Sequence, residues 1–166
     1  FAIYVIRKDA ADKQIGNNSW IAVEVSNVVV GQWSLYSTSF DIEDKCKMID
    51  LCFVYTNNPT AWFAQPMLVE GDEYVGWSLS EEDAEYIGGN LLDNTDTLVQ
   101  GGNLVIASGN LYTDANSYKG FPTLNTDIRF ATDVNYIDML LWRLGSDVVK
   151  QGQDYMFSFM AKGNKF

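Results

Sequence analysis

The sequence contains no histidine, the side chain that most often acts as a general base near neutral pH. Its absence excludes a Ser-His-Asp relay and every metal site that needs an imidazole ligand. Carboxylate chemistry stays open, since the chain carries 22 aspartates and glutamates. No pattern places these carboxylates as a catalytic pair, and we therefore expect a protein that is not an enzyme.

Basic residues are scarce, because only 11 lysines and arginines accompany the 22 acidic residues and the formal net charge is −11. A surface of this sign repels phosphate groups, so nucleic acids and anionic membranes are poor partners. A neutral ligand such as a glycan is compatible with it. No apolar run approaches the roughly 20 residues of a membrane-spanning helix, which predicts no membrane insertion.

The chain has two cysteines, Cys46 and Cys52, within a stretch that is predicted to be one strand. Six strand residues extend about 20 Å, whereas a disulfide requires Cα atoms within about 7 Å of each other. We therefore expect two separate buried thiols and no disulfide. Free thiols favour assembly in a reducing compartment.

Helical periodicity is almost absent, and the only candidate is a polar turn or two at residues 80–85. The rest of the chain, which is 47% hydrophobic and 14% aromatic overall, alternates apolar and polar residues between turns. Pro66 predicts an edge or bulged strand at 61–69, because proline donates no ladder hydrogen bond. The pattern predicts an all-β sandwich with strands at residues 1–7, 20–25, 33–40, 48–55, 61–69, 103–111, 126–131, 136–144 and 155–161.

Three segments carry a more specific pattern. They are residues 65–78, with the sequence QPMLVEGDEYVGWS, residues 90–95, with NLLDNT, and residues 152–163, with GQDYMFSFMAKG. Together they resemble the carbohydrate-binding, galactose-binding-like jelly-roll modules of bacteriophage tail-fibre and minor structural proteins. Glu70 departs from the family pattern, since the acidic residue falls one position late.

The resemblance implies a jelly-roll β-sandwich that recognises a host cell-surface glycan without catalysis. It further implies a location in the virion tail or fibre, action outside the cell after assembly in the host cytoplasm, and a homo-oligomer, with a trimer favoured. No cofactor is implied, although related jelly rolls hold structural calcium. Two acidic clusters have the oxygen ligands for calcium but are expected to be solvated turns: Glu70/Asp72/Glu73 and Glu81/Glu82/Asp83.

The order of the motifs predicts two half-modules in one chain. Residues 1–84 resemble the C-terminal half of a jelly-roll module, residues 85–89 a linker, and residues 90–166 the N-terminal half of a following module. Because a half-sandwich exposes its inner face, the halves either pack on each other or are completed by a neighbouring subunit or further chain. We favour packing within the chain, since the linker is short. The chain begins inside a predicted strand, as expected of a piece of a longer protein.

Sugar binding needs a flat aromatic face with a few polar side chains around it. The candidate ligand-binding residues are the aromatics Trp33, Tyr36, Tyr55 and Trp62 and the amides Asn57 and Gln65. Trp33 and Tyr36 have opposite parity on one predicted strand, so one should be buried and the other exposed. The hypothesis therefore joins Trp33 or Tyr36 with Trp62 in one binding face. No catalytic or metal-binding residue is assigned.

Two other functions fit the same composition. The chain could be a purely architectural β-sandwich domain of a virion or fibre assembly, with its aromatics buried. It could also be the carbohydrate-binding module of a secreted polysaccharide-degrading enzyme, but the free thiols and the lack of a visible signal peptide weigh against that. At least two exposed aromatics around one groove would favour glycan recognition over architecture.

Overall fold

A computed structural model describes residues 2–15, 23–24, 31–56, 61–74, 76, 89–95, 97–98, 101–105, 112–126 and 136–163. All regular secondary structure in these ranges is strand, and they contain no helix that could cross a membrane. The strands are β1 Ala2–Lys8, β2 Val23–Glu24, β3 Ser34–Asp41, β4 Met48–Thr56, β5 Ala61–Glu70, β6 Tyr112–Tyr118, β7 Phe121–Thr126, β8 Tyr136–Gly145 and β9 Asp154–Gly163.

The strands form two antiparallel sheets. The four-stranded sheet has the order β2-β1-β4-β8, and the five-stranded sheet has the order β3-β9-β5-β7-β6. Each sheet contains strands from both parts of the chain, since β8 pairs with β4 and β9 lies between β3 and β5. The two ranges 1–84 and 90–166 therefore share both sheets, while their origin as two half-modules stays a prediction.

The core lies between the sheets, because one cluster of buried side chains draws on both. From the four-stranded sheet come Val5, Ile49, Leu51, Trp142 and Leu144, and from the five-stranded sheet come Phe40, Phe63, Leu68, Tyr155, Phe157, Phe159 and Ala161. Each fully buried large apolar side chain contributes about 1.5–3 kcal/mol relative to exposure. Alternation along each strand decides which residues join the cluster, and the other parity faces outward. The fold is thus all-β and sandwich-like.

Most predicted strands agree with the structure, but the region before β8 differs. The prediction of a strand at 103–111 is wrong for its described part, because residues 101–105 form a turn closed by the bridge between Gly101 and Leu104. The strand predicted at 126–131 is replaced by β7, which ends at Thr126, and residues 127–131 lie outside the described part. The hairpin of β6 and β7 was not predicted, since its first strand, YTDANSY, lacks an apolar alternation.

Strand β5 contains a bulge between Ala64 and Met67, where Gln65 adopts a φ of 50°. The bulged strand predicted from Pro66 is confirmed. β5 as a whole lies between β9 and β7, but it pairs with β7 only at residues 61–63. Beyond the bulge β7 no longer pairs with β5. The backbone of β5 therefore needs another hydrogen-bonding partner there.

The segment 90–95 supplies that partner. The buried Asn90 side chain accepts a hydrogen bond from the Leu68 amide (3.0 Å) and donates to the Pro66 carbonyl (3.1 Å) and to Thr95 Oγ1 (3.0 Å). The Leu91 amide donates to the Leu68 carbonyl at 2.8 Å. The NLLDNT motif thus takes the place of a neighbouring strand along the second half of β5.

The same segment also reaches the other sheet at β8. The Trp142 indole donates to the Asp93 carbonyl (3.2 Å), and the Arg143 amide donates to the Asn103 carbonyl (2.9 Å). Leu92, Leu98 and Leu104 are buried in the common core. Residues 90–95, 97–98 and 101–104 therefore join the two sheets along one side of the core.

Neither cysteine is in a disulfide and both are buried, which confirms the prediction of two separate buried thiols. Cys52 lies within β4, whereas Cys46 precedes that strand and its thiol donates to the Met48 carbonyl at 3.3 Å. At the same end of the core, the buried Arg7 of β1 reaches the other sheet. Its guanidinium donates to the Asp41 carbonyl (3.2 Å) and to the Glu43 carboxylate (3.0 Å).

Candidate functional site

Two tryptophans lie on the outer face of the five-stranded sheet, on either side of Lys162. Trp62 pairs with Lys162 in the β5–β9 register, and Trp33 directly precedes Ser34, whose partner on β9 is Ala161. Because Phe63 and Ala161 belong to the core, their neighbours Trp62 and Lys162 point to the outer face. All three side chains, Trp33, Lys162 and Trp62, are partly exposed.

Lys162 contacts both indoles. Its Nζ lies 5.2 Å from the ring centroid of Trp33 and 4.8 Å from that of Trp62. Both distances fall within the range of a cation–π interaction, worth about 0.5–1 kcal/mol at an exposed site. The lysine therefore sits between two aromatic rings whose strands are two sheet spacings apart, about 10 Å.

The hairpin of β6 and β7 extends this row of side chains. Its turn is the pair Lys119-Gly120, and both residues have positive φ (48° and 87°), as a two-residue hairpin turn that matches the strand twist requires. Next to the turn, the Tyr118 ring lies 4.6 Å from the Trp33 ring, and the Lys119 Nζ lies 5.3 Å from the Tyr118 ring. These side chains contact one another in the order Trp62, Lys162, Trp33, Tyr118, Lys119, with Tyr118 itself buried, and we refer to the set as the aromatic row.

Apolar surface continues beside the aromatic row. Leu35, next in β3 on the same face as Trp33, is 44% exposed and pairs with the partly exposed Met160 of β9. Further along β9 and β5, Met156, Met67 and Val69 form a separate small cluster, in which each is almost completely buried. The exposed apolar surface of this face therefore lies near the aromatic row.

Of the predicted site residues, the structure brings Trp33 and Trp62 together. Tyr36 has the opposite parity in β3, packs against the core, and stacks on Phe159 with centroids 5.6 Å apart. The alternative that paired Tyr36 with Trp62 is therefore wrong, since the two rings lie on opposite faces of the sheet. Trp33 and Tyr36 do face opposite sides of the sheet, with Tyr36 on the inner side, but both are half-buried, so the expected contrast of one buried and one exposed ring is wrong.

The remaining candidates do not join this site. Tyr55 belongs to β4 in the other sheet, where it pairs with Ile137 and only its backbone is described. Gln65 lies in the bulge of β5 and is partly buried. Asn57 lies outside the described residues. The expected amides around the aromatic pair are thus not assembled by the part of the chain that the structure describes.

Three functional candidates were missed from sequence alone, namely Lys162, Tyr118 and Lys119. Lys162 belongs to the segment 152–163, but the local sequence does not indicate which side chains of other strands lie beside it. Its position between the tryptophans depends on the register of β9 with β3 and β5. Register comes from pairing across the sheet, and no local pattern states it.

The acidic residues form no metal centre within the described ranges. Glu70, Asp72 and Glu73 are all exposed, as expected for a solvated turn, and the cluster at residues 81–83 lies outside the described part. An open groove of about 360 Å³ is lined by Ser39, Phe40, Asp41, Asp72 and Asp154. Asp41 and Asp154 stand directly opposite each other, so the groove concentrates negative charge.

Comparison of the chain with known protein families, with curated proteins and with solved structures gives no match.

Proposed function

We propose that this chain is a non-catalytic carbohydrate-recognition module and that the aromatic row is its binding face. One observation carries the proposal: two tryptophans distant in sequence stand partly exposed on the same face of one sheet. Indole rings stack on the apolar C–H face of a pyranose, and strands hold such rings more rigidly than loops do. A saccharide that stacks on a face of either ring would meet an indole already held by the sheet and by Lys162, so binding would cost little ordering of the protein.

The motifs at 65–78, 90–95 and 152–163 supply the biological setting of the proposal. They support a jelly-roll module of a phage-type tail fibre or virion adhesin, with a host cell-surface glycan as partner and a homotrimer as the assembly. The sandwich-like frame and the role of Asn90 beside β5 are compatible with that module.

The test is a glycan array followed by calorimetric titration of a hit. Alanine at both Trp33 and Trp62 should weaken binding by about 1–3 kcal/mol, the scale of a lost aromatic stacking contact. Tyr74→Ala removes another exposed aromatic, 42% exposed, and serves as the control that should bind normally. Unchanged affinity in a folded double variant contradicts the proposal.

Exposed Leu35 favours a second candidate, an architectural domain whose outer face is covered by another copy of the chain. In that case Trp33 and Trp62 pack in a subunit interface and no glycan binds. Size-exclusion chromatography with light scattering separates the two functions. The architectural role requires an oligomer that Leu35→Asp dissociates, whereas the recognition role requires a glycan-binding face that remains accessible in the assembly.

A further inference from the structure

We infer that the saccharide bound by the aromatic row carries a carboxylate and that Lys162 holds it. The inference rests on the proposed function and names the class of sugar. Uronic acids and nonulosonic acids are two sources of such a group on a pyranose ring. The shared chemistry is an anionic oxygen pair beside an apolar sugar face.

The charge pairing of the described cations sets Lys162 apart. Four of these cations are not fully exposed: Arg7, Lys8, Arg143 and Lys162. The first three make ion pairs, Arg7 with Asp41 and Glu43, and Lys8 and Arg143 with Asp50 and Asp12. Lys162 has no carboxylate within 4.0 Å among the described residues and contacts two indole rings instead.

The two indoles hold the ammonium, with Nζ 4.8 and 5.2 Å from their ring centroids. Because the Lys162 side chain is partly exposed, an anion bound at this face could reach Nζ from the solvent. A pyranose stacked on Trp33 or Trp62 would place a ring substituent over that position. Lys119, whose Nζ lies 5.3 Å from the Tyr118 ring, adds a second cation to the aromatic row.

The net charge of −11 does not prevent this contact. At physiological salt the field of distant surface charges is screened within about 8 Å, whereas a charge-assisted hydrogen bond forms at about 3 Å. Such a bond is also roughly twice as strong as one between neutral groups. A local cation therefore decides the preference of the site more than the overall charge does.

The experiment compares matched acidic and neutral sugars on the same protein by NMR titration. Methyl glucuronide is paired with methyl glucoside, methyl galacturonide with methyl galactoside, and the methyl glycoside of a nonulosonic acid with its methyl ester. The acid of at least one pair should bind about tenfold more tightly than its neutral partner. The pair that shows the preference identifies the source of the carboxylate.

Variants locate the effect at the lysine. Lys162→Met keeps an apolar stem between the rings and should reduce the preference for the acid to about twofold or less, since the charged hydrogen bond is gone. Lys162→Arg should keep the preference. Equal binding of every acid and its neutral partner by the unaltered protein overturns the inference, and that comparison needs no variant to fold.

The proposed function fails in a different way. If neutral and acidic sugars bind equally and Trp33→Ala with Trp62→Ala abolishes both, recognition stands and only the carboxylate is wrong. If no sugar binds at any accessible concentration, recognition and the carboxylate are both wrong. A preference for the acid that survives Lys162→Met also overturns the inference, because another group would then hold the anion.

Discussion

Asp50 is a buried carboxylate, and two cations neutralise it. Lys8 Nζ lies 2.7 Å from one carboxylate oxygen, and Arg143 binds both oxygens at 2.7 and 2.8 Å. The three residues stand on three adjacent strands, β1, β4 and β8. A buried charge is tolerated only when it is paired in this way.

Asp50→Asn should destabilise the protein by about 2 kcal/mol, less than a fully buried pair, because Arg143 is partly solvated. The change keeps the side-chain shape and leaves two cations without their buried partner. Urea unfolding followed by circular dichroism measures the effect. Asp12→Asn, which removes the exposed partner of Lys8, is the control and should change the midpoint much less. Equal midpoints for the two variants would contradict the role of Asp50.

Alkaline pH should weaken the fold through Lys8 and Tyr155. Burial lowers the pKa of Lys8, but its hydrogen bonds to Asp12 and Asp50 outweigh this, and the pKa rises above the ordinary 10.5. Burial raises the pKa of Tyr155 above the ordinary 10.0. Both folded-state values are raised, so the stability they contribute is complete below the ordinary values and is lost as pH rises through the folded-state values.

The check is a series of urea midpoints across this alkaline range. Tyr155→Phe removes one of the two titrations and should make the decline of stability with pH shallower. A midpoint that stays level from pH 9 to beyond about 11 would contradict both assignments. The Asp50→Asn protein should also decline less steeply, because Lys8 then loses its buried partner.

At the scale of elements, Asn90 replaces a strand that β5 lacks. Its amide satisfies the Leu68 amide and the Pro66 carbonyl, and it also accepts from the Leu92 amide at 3.1 Å. Asn90→Ala should cost about 2–4 kcal/mol, since several buried backbone groups lose their partner. Asn94→Gly, which tolerates the φ of 56° at that position, removes the bond to the Gly101 carbonyl and should cost less.

Hydrogen exchange gives the local test of this element. In the Asn90→Ala protein the Leu68 amide should lose protection, while the Phe159 amide in β9 should change only with global stability. If Asn90→Ala lowered the protection of the Leu68 amide no more than that of the Phe159 amide, the role assigned to Asn90 would be contradicted.

Some strands could be predicted because their alternation of apolar and polar residues follows the alternation of buried and exposed positions in the structure. β3 alternates inner residues such as Phe40 with exposed serines, and this period of two is visible without any structure. β6, with the sequence YTDANSY, was missed because it lacks a regular apolar alternation. It is an edge strand, and an edge strand can form with fewer buried apolar side chains than a central one. The NLLDNT motif was noticed, but its contacts with β5 and β8 join residues far apart in the chain.

The candidate site divides in the same way. Aromatic composition singled out Trp33 and Trp62, and parity separated Trp33 from Tyr36. Lys162 and Tyr118 could not be predicted, because their positions depend on the register of β9 and on the turn at Lys119-Gly120. The local alternation predicts which face of the sheet a residue lies on. The register between strands that are distant in sequence determines which residues are neighbours on that face.

For the whole molecule, the interleaving of the strands predicts that neither part of the chain folds alone. Residues 1–84 lack β8 and β9, and residues 90–166 lack the strands with which these pair. Produced separately, each fragment should show no cooperative unfolding, and the thiols of Cys46 and Cys52 should react rapidly. Mixing the fragments should slow the thiol reaction, because β9 and β8 rebuild the core. Cooperative unfolding of either fragment alone would contradict this account.

Recognition of a saccharide by the aromatic row is the central claim, and the five tryptophans allow a direct test. Each indole N–H gives its own resonance in a nitrogen-15 correlation spectrum, assigned by single Trp→Phe substitutions. During titration with a saccharide hit, the Trp33 and Trp62 resonances should shift with one common affinity. The Trp142 resonance should stay in place, since that ring is fully buried in the core. Saturable binding that leaves Trp33 and Trp62 unmoved would contradict the account.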